Sequence, residues 1–247
     1  MAETSRLSLQ SVSHTFGSLH VLDSVSFDVA SGEFVSLVGP SGAGKSTLFN
    51  IIAGLDAPDS GSVLFDGTPA QGRRDLTAYM PQKDLLFSWR SILANAALGL
   101  EVQGVPRKEA RARARAWFPR FGLDGFEDSL PFELSGGMRQ RAALLRTVVQ
   151  ERSTLLLDEP FGALDYLTRQ ELQTWMQQVW ADNSWTALLI THDVREAVML
   201  SDRVVVFSPR PATVREIVEI DLPRPRGIDV LASPEFGEYE RRILNLL

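Results

Sequence analysis

The chain has 247 residues, 44% of them hydrophobic, with 25 Lys and Arg against 31 Asp and Glu for a net charge of −6, and no cysteine. That length supports a full core in one domain with an insertion, or in two small domains. The missing cysteines exclude a disulfide framework and thiolate zinc sites, and the acidic balance offers no global positive field to nucleic acid.

Residues 7–32 and 61–66 alternate apolar and polar side chains as antiparallel strands do, with turns at 16–17 and 59–61, and are expected to form a β layer. His14 and His20, in the same stretch, lack a setting for chemistry and read as packing or surface residues. Next comes a short apolar run, Phe34–Val38, then Gly39, Pro40, Ser41, Gly42, Ala43, Gly44, Lys45, Ser46 and Thr47, and a helical stretch over 45–53 that Gly54 can end. This is the pattern G-x-x-x-x-G-K-[ST] in the strand, loop and helix context that it needs. Glycines let successive backbone N–H groups converge on phosphate oxygens, and the following helix points the positive end of its dipole at the same anion. Lys45 then adds a charge at the β- and γ-phosphates, and the Ser46 hydroxyl can ligate Mg²⁺.

Residues 83–152 are rich in helix formers and read as an inserted helical subdomain. Arg107–Arg115 reads as an exposed, solvated helix, without the interleaved aromatics that nucleic-acid contact would favour. Residues 84–89 alternate charge with large apolar side chains, as a groove for a partner's helix would. Ser135, Gly136 and Gly137 precede a helical pattern over 138–150; alone, they are either a helix cap or a second anion site.

The apolar run that opens residues 154–160 has the composition of a central strand buried on both faces, and it ends in two acids. In an open α/β sheet the ligand crevice lies at the carboxyl ends of the strands. Asp158 is therefore placed for the Mg²⁺ shell and Glu159 to orient or deprotonate an attacking water. Thr186–Ile190 and Arg203–Phe207 continue this parallel core, and His192, just past the first of them, can hydrogen-bond the γ-phosphate. Gln82 can reach both metal and water through an uncharged amide. The expected division is 1–82 and 153–208 as nucleotide-binding core with β subdomain, 83–152 as helical subdomain, and 209–247 as a short tail ending in a helix. No secretory signal layout and no apolar run of the roughly 20 residues that span a bilayer is visible, so any membrane role is expected to run through a partner.

Residues 134–140, Leu-Ser-Gly-Gly-Met-Arg-Gln, resemble the signature of ATP-binding cassette (ABC) ATPases, and further landmarks follow that family's order. Phe16 falls where the family stacks an aromatic on adenine, Gln82 at the Q-loop, Ala163, Leu164 and Asp165 at the D-loop, and His192 at the switch histidine. The resemblance implies an α/β fold: a P-loop NTPase core with a mostly parallel sheet, an N-terminal antiparallel β subdomain and an inserted α-helical subdomain. It also implies ATP and Mg²⁺, and two cassettes packed head to tail, the Ser135–Gly136–Gly137 turn of one covering the γ-phosphate held by the other. The implied partners are integral membrane permease subunits, a second and identical ATPase subunit, and a solute-binding protein, with the chain peripheral on the cytoplasmic face of the inner membrane. A soluble relative acting on nucleic acid or ribosomes is the alternative; the chain lacks the long coiled coil or second cassette such proteins carry. A P-loop kinase or GTPase would leave residues 134–140 without a purpose. The stretch after Gln82 is similar to importers of nitrate, sulfonates and taurine, departing at Ser88, where that group has proline; it also looks like a branch carrying a pyrimidine precursor of thiamine.

Overall fold

In the computed structural model, which describes residues 5–70, 72–162, 164–183 and 185–247, the chain opens with β1 (Ser5–Phe16), β2 (Leu19–Ala30), β3 (Phe34–Val38), α1 (Lys45–Ile52), β4 (Ser60–Phe65), β5 (Thr68–Pro69) and β6 (Ala78–Met80). Four helices follow: α2 (Ile92–Ala96), α3 (Leu98–Val102), α4 (Arg107–Arg115) and α5 (Gly136–Val148). Then come β7 (Thr154–Asp158), α6 (Tyr166–Asn183), β8 (Thr186–Ile190), α7 (Val194–Leu200), β9 (Arg203–Phe207), β10 (Val214–Glu219) and α8 (Pro234–Leu246).

Two sheets result. Alternation makes the first an antiparallel layer with the order β2-β1-β4-β5, its inner side carrying Leu7, Leu9, Val12, Val25, Phe27 and Val29. The second has the order β10-β9-β3-β8-β7-β6, with every pairing parallel except β10 on β9. All five residues of β3, β7 and β8 are buried, as continuous apolar runs covered on both faces must be. On one face, α1 drives Leu48, Phe49 and Ile52 between the two sheets. Against the other lie the helices of the 92–148 segment, with Phe118, Phe121, Leu144 and Leu145 in one continuous core with Leu155 and Leu157. Arg107, Arg113 and Arg115 of α4 are exposed while Ala110 and Ala114, four residues apart on one face, are buried. Among the described residues no helix is long and apolar enough to cross a membrane.

The region read as a tail departs from expectation. Residues 214–219 form β10, an antiparallel edge strand that continues the core sheet, so the nucleotide-binding layer does not stop at 208. Val-Arg-Glu-Ile-Val-Glu carries no regular alternation, its pairing with β9 being irregular between Val214 and Glu216, and the flanking prolines Pro209, Pro211 and Pro223 read as punctuation. The segment that follows is tied down by Arg226, whose guanidinium is fully buried. It donates to the carbonyls of Val198 (2.7 Å), Ser201 (2.6 Å), Ile220 and Leu222 (both 3.1 Å), joining the end of α7 to the exit of β10. Burial pulls its pKa down to about 10, which leaves it charged at neutral pH. Gln177 of α6 exchanges two hydrogen bonds with the Arg226 backbone, each 3.0 Å.

Replacing Arg226 with Met orphans those buried carbonyls, and unfolding in urea followed by circular dichroism is expected to show a loss of about 3 kcal/mol. A loss under about 0.5 kcal/mol would show that the clamp does not support the fold.

Candidate functional site

The loop from β3 into α1 is shaped by contacts that only glycine permits. Gly44 has φ +98, and a Cβ there would meet Val21 Cγ1 at 2.6 Å; at Gly39 it would meet Phe207 Cβ at 2.9 Å. Lys45 opens α1 and is buried, its Nζ donating to the carbonyls of Gly39 (2.7 Å) and Pro40 (3.0 Å), so the ammonium lies within the loop. That burial lowers the lysine pKa, while Glu159 and Asp158 act in the opposite direction.

The two acids at the end of β7 differ in environment. Asp158 is only 3% exposed and faces the Ser46 hydroxyl; burial raises its pKa and the Ser46 hydrogen bond opposes the rise. Glu159 follows with φ +49, uncommon for a residue with a side chain, and its N–H donates to the Ile190 carbonyl at 2.9 Å. Its carboxylate is bracketed: Gln82 Nε2 donates to one oxygen at 3.0 Å, and His192 Nδ1 stands 3.4 Å from the other.

Lys45, Ser46, Gln82, Glu159 and His192 share a cleft of about 450 Å³, a volume suited to a small ligand, and Asp158 is not part of its lining. Its lining runs from Phe16, Leu19 and Val21 through residues 41–47 to Gln82, Glu159, Ile190, His192 and Arg210. A hollow of about 570 Å³ on the β layer is larger, but it lacks the phosphate loop and every acid of the cleft, so chemistry and not size selects the site. Phe16 stands half exposed at one end with its ring edge-on to His14, centroids 4.6 Å apart. Ser135, Gly136, Gly137 and Asp165 do not line this cleft. The Ser135 hydroxyl accepts from Met138 N at 3.2 Å and caps α5, and Ser135 and Gly136 are exposed. Asp165 caps α6 by accepting from Thr168 N at 3.1 Å, and hydrogen bonds from the Thr168 side chain and N–H hold its carboxyl below the usual range; Ala163 lies outside the described residues.

His14 is buried with its ring edge-on to Phe16 and His20 is exposed, in keeping with the expectation that both are packing or surface residues. Sequence reasoning missed two supporting features. Gln140 Nε2 donates to the Glu159 carbonyl at 3.3 Å, linking the signature helix to the acid within one chain. Glu196 lies buried behind the His192 turn, where it accepts from the Thr191 hydroxyl and from Gln173 Nε2 (3.3 Å). Its position three residues past Asp193, which caps α7, was the available signal.

Burial pushes the Glu196 pKa up to about 7 from 4.5. The folded state thus binds this proton more tightly than the unfolded chain, so the contribution to stability is full below pH 4.5 and is lost as pH rises through 7. Urea unfolding at a series of pH values is expected to show wild type losing on the order of 3 kcal/mol relative to Glu196→Gln across that window. Parallel profiles would remove the buried proton from the account.

With the geometry in view, the likenesses are consistent. A family model described as ABC transporter matches residues 22–162. An uncharacterized ABC transporter ATP-binding protein of Methanocaldococcus jannaschii is 46% identical over 226 residues, 92% of this chain and 84% of that protein. The formylaminopyrimidine import ATP-binding protein ThiZ of Halalkalibacterium halodurans is 44% identical, covering 88% of this chain and 84% of its own. The aliphatic sulfonates import ATP-binding protein SsuB of Bacillus cereus is 38% identical, covering 92% and 88%. A dimeric ATP-binding cassette solved in a post-hydrolysis state with ADP and Pi superposes with a TM-score of 0.79 at 27% identity, over 88% of this chain and all of the other. The phosphate loop, the paired acids and the signature helix thus sit in a chain that belongs to the ABC transporter family, as one of its ATP-binding ATPases.

Proposed function

We propose that this chain powers a membrane importer of small solutes as one of two identical ATPase subunits, each ATP being enclosed between the phosphate loop of one and the signature of the other. The observation that carries this reading is a division of labour. Lys45, Ser46, Gln82, Glu159 and His192 converge in one cleft, while Ser135 and Gly136, with their hydroxyl and N–H groups at a helix start, face solvent away from it.

In this reading Phe16 stacks on adenine, the N–H groups of residues 39–47 cradle the phosphates, and Lys45 neutralises the β- and γ-oxygens. Asp158, Ser46 and Gln82 would hold Mg²⁺: they are hard oxygen donors, and a buried carboxylate whose own burial disfavours charge gains from a nearby cation. When bound, the metal would offset charge on the bridging phosphate oxygens. Glu159, held by Gln82 and His192, orients and deprotonates the attacking water, and His192 also reaches the γ-phosphate. Positioning and electrostatics supply most of the rate, helped by exclusion of bulk water as the partner's Ser135–Gly136–Gly137 turn arrives, with Asp165 at the same interface.

A second groove supports the membrane partnership. It is lined by Tyr79, Leu85, Phe87, Leu98 and Val102, with Leu85 57% and Val102 79% exposed, and suits an amphipathic helix of a permease. Two arginines of α5 hold its rim: Arg146 donates to the carbonyls of Asp84 (2.6 Å) and Leu85 (2.8 Å), and Arg139 Nε to the Asp84 carboxylate (3.2 Å). A displacement of the docked helix therefore reaches Ser135 through one rigid element. The chain would sit on the cytoplasmic face of the membrane, fed by a solute-binding protein. The names of the pyrimidine and sulfonate importers favour a small polar cargo of those classes.

Glu159→Gln is expected to cut ATP turnover about 100-fold or more while sparing ATP binding, and to trap a nucleotide-bound dimer visible by size-exclusion chromatography. Unchanged turnover would contradict the role. Ser135→Ala should slow hydrolysis without weakening ATP binding to the isolated monomer; a loss of monomer affinity would place the signature in its own chain's site. In a reconstituted assembly, stimulation of turnover by a sulfonate or an aminopyrimidine tests the cargo class.

A further inference from the structure

Residues 208–213 join β9 to β10 and carry Arg210, which lines the same cleft as Lys45 and Glu159. The guanidinium lies directly on the phosphate loop: a Cβ at Gly42 would stand 3.0 Å from Arg210 Nη2. Among the described residues Arg210 has no carboxylate within ion-pair distance, whereas Arg203, Arg224 and Arg242 pair with Glu33, Asp202 and Glu216. An exposed arginine with a free fork, in a cleft whose other lining lysine or arginine is Lys45, suits an oxyanion that can accept two parallel N–H donors.

The loop that presents it is well anchored. Ala212 is fully buried and bridges to β2, its N–H donating to the Val21 carbonyl and its carbonyl accepting from Asp23 N, both 2.9 Å. Thr213 N donates to Ser208 Oγ at 2.9 Å, and that hydroxyl donates in turn to the Pro209 carbonyl at 2.9 Å. Val21 itself lines the cleft, so one short bridge fixes both the wall and the arginine.

We propose that Arg210 is a phosphate-binding residue of this ATPase, its guanidinium meeting the nucleotide's phosphates beside Gly42 of the loop. The inference rests on the nucleotide reading of the cleft given above. Lys45 is tied to the Gly39 and Pro40 carbonyls, and one ammonium balances only part of a triphosphate's charge. Arg210 supplies a second side-chain cation beside Lys45 and, through its fork, two parallel N–H donors.

The test uses the purified full chain with Mg-ATP, Mg-ADP and adenosine as probes, their affinities measured by competition against a fluorescent ATP analogue. Lys45→Ala serves as the control for the cleft. Arg210→Ala is expected to weaken ATP and ADP about tenfold and leave adenosine unchanged, to flatten the salt dependence of ATP binding, and to be partly rescued by Arg210→Lys. Wild-type ATP affinity in Arg210→Ala would overturn the proposal. So would an equal weakening of adenosine, which would mean a distorted loop. If wild type binds Mg-ATP and Lys45→Ala does not, the cleft reading stands whatever Arg210 does; a wild-type chain that binds no Mg-ATP overturns both.

Discussion

Asp158 is the constraint around which this molecule is arranged: a carboxylate with almost no exposed surface, at the end of a buried strand where three leucines precede it. Water cannot stabilise its charge there, so neighbouring groups must. The Ser46 hydroxyl and the Lys45 ammonium do so, and both are delivered by the phosphate loop of the adjacent layer. The loop in turn needs glycine at 39 and 44 because β2 and β9 crowd it. The acid, the loop and the strands beneath therefore specify one another, and a change at any of them is felt at the rest.

The same economy appears in the helical segment. Its core is continuous with one face of the parallel sheet, and its signature helix makes polar contacts in two directions. Gln140 reaches the backbone of Glu159, while Arg139 and Arg146 hold the rim of the exposed groove at 84–85. One helix thus touches Glu159, the exposed groove and the turn at Ser135. Such an arrangement suits a machine in which binding at one surface alters the geometry of another without unfolding anything between them.

Much of the fold was legible. The mostly apolar stretches at 34–38, 154–158 and 186–190 could only be central strands once a phosphate loop followed the first, because burial on both faces leaves no place for alternation. Helix α4 was equally readable, since arginines and alanines at helical spacing leave one small buried stripe. β10 was not, because Val-Arg-Glu-Ile-Val-Glu has no strand-like alternation and prolines flank it. Nor was the function of the segment beyond it: a buried arginine bound only to carbonyls has no local pattern, and its acceptors come from α7 and from the strand exit.

The sequence by itself determined the chemistry of the cleft, because phosphate binding demands glycine, lysine and a hydroxyl at fixed spacing on one loop. It also determined that two acids would emerge beside that loop, since a strand's direction settles which end its final residues occupy. Only the tertiary structure decided which groups meet. Gln82, Glu159 and His192 come from three separated segments, and their contacts depend on how parallel strands are ordered across the sheet. Arg210 and Glu196 acquire their settings in the same way. Each is an ordinary charged residue in the chain, and its surroundings are set by packing between elements far apart in sequence.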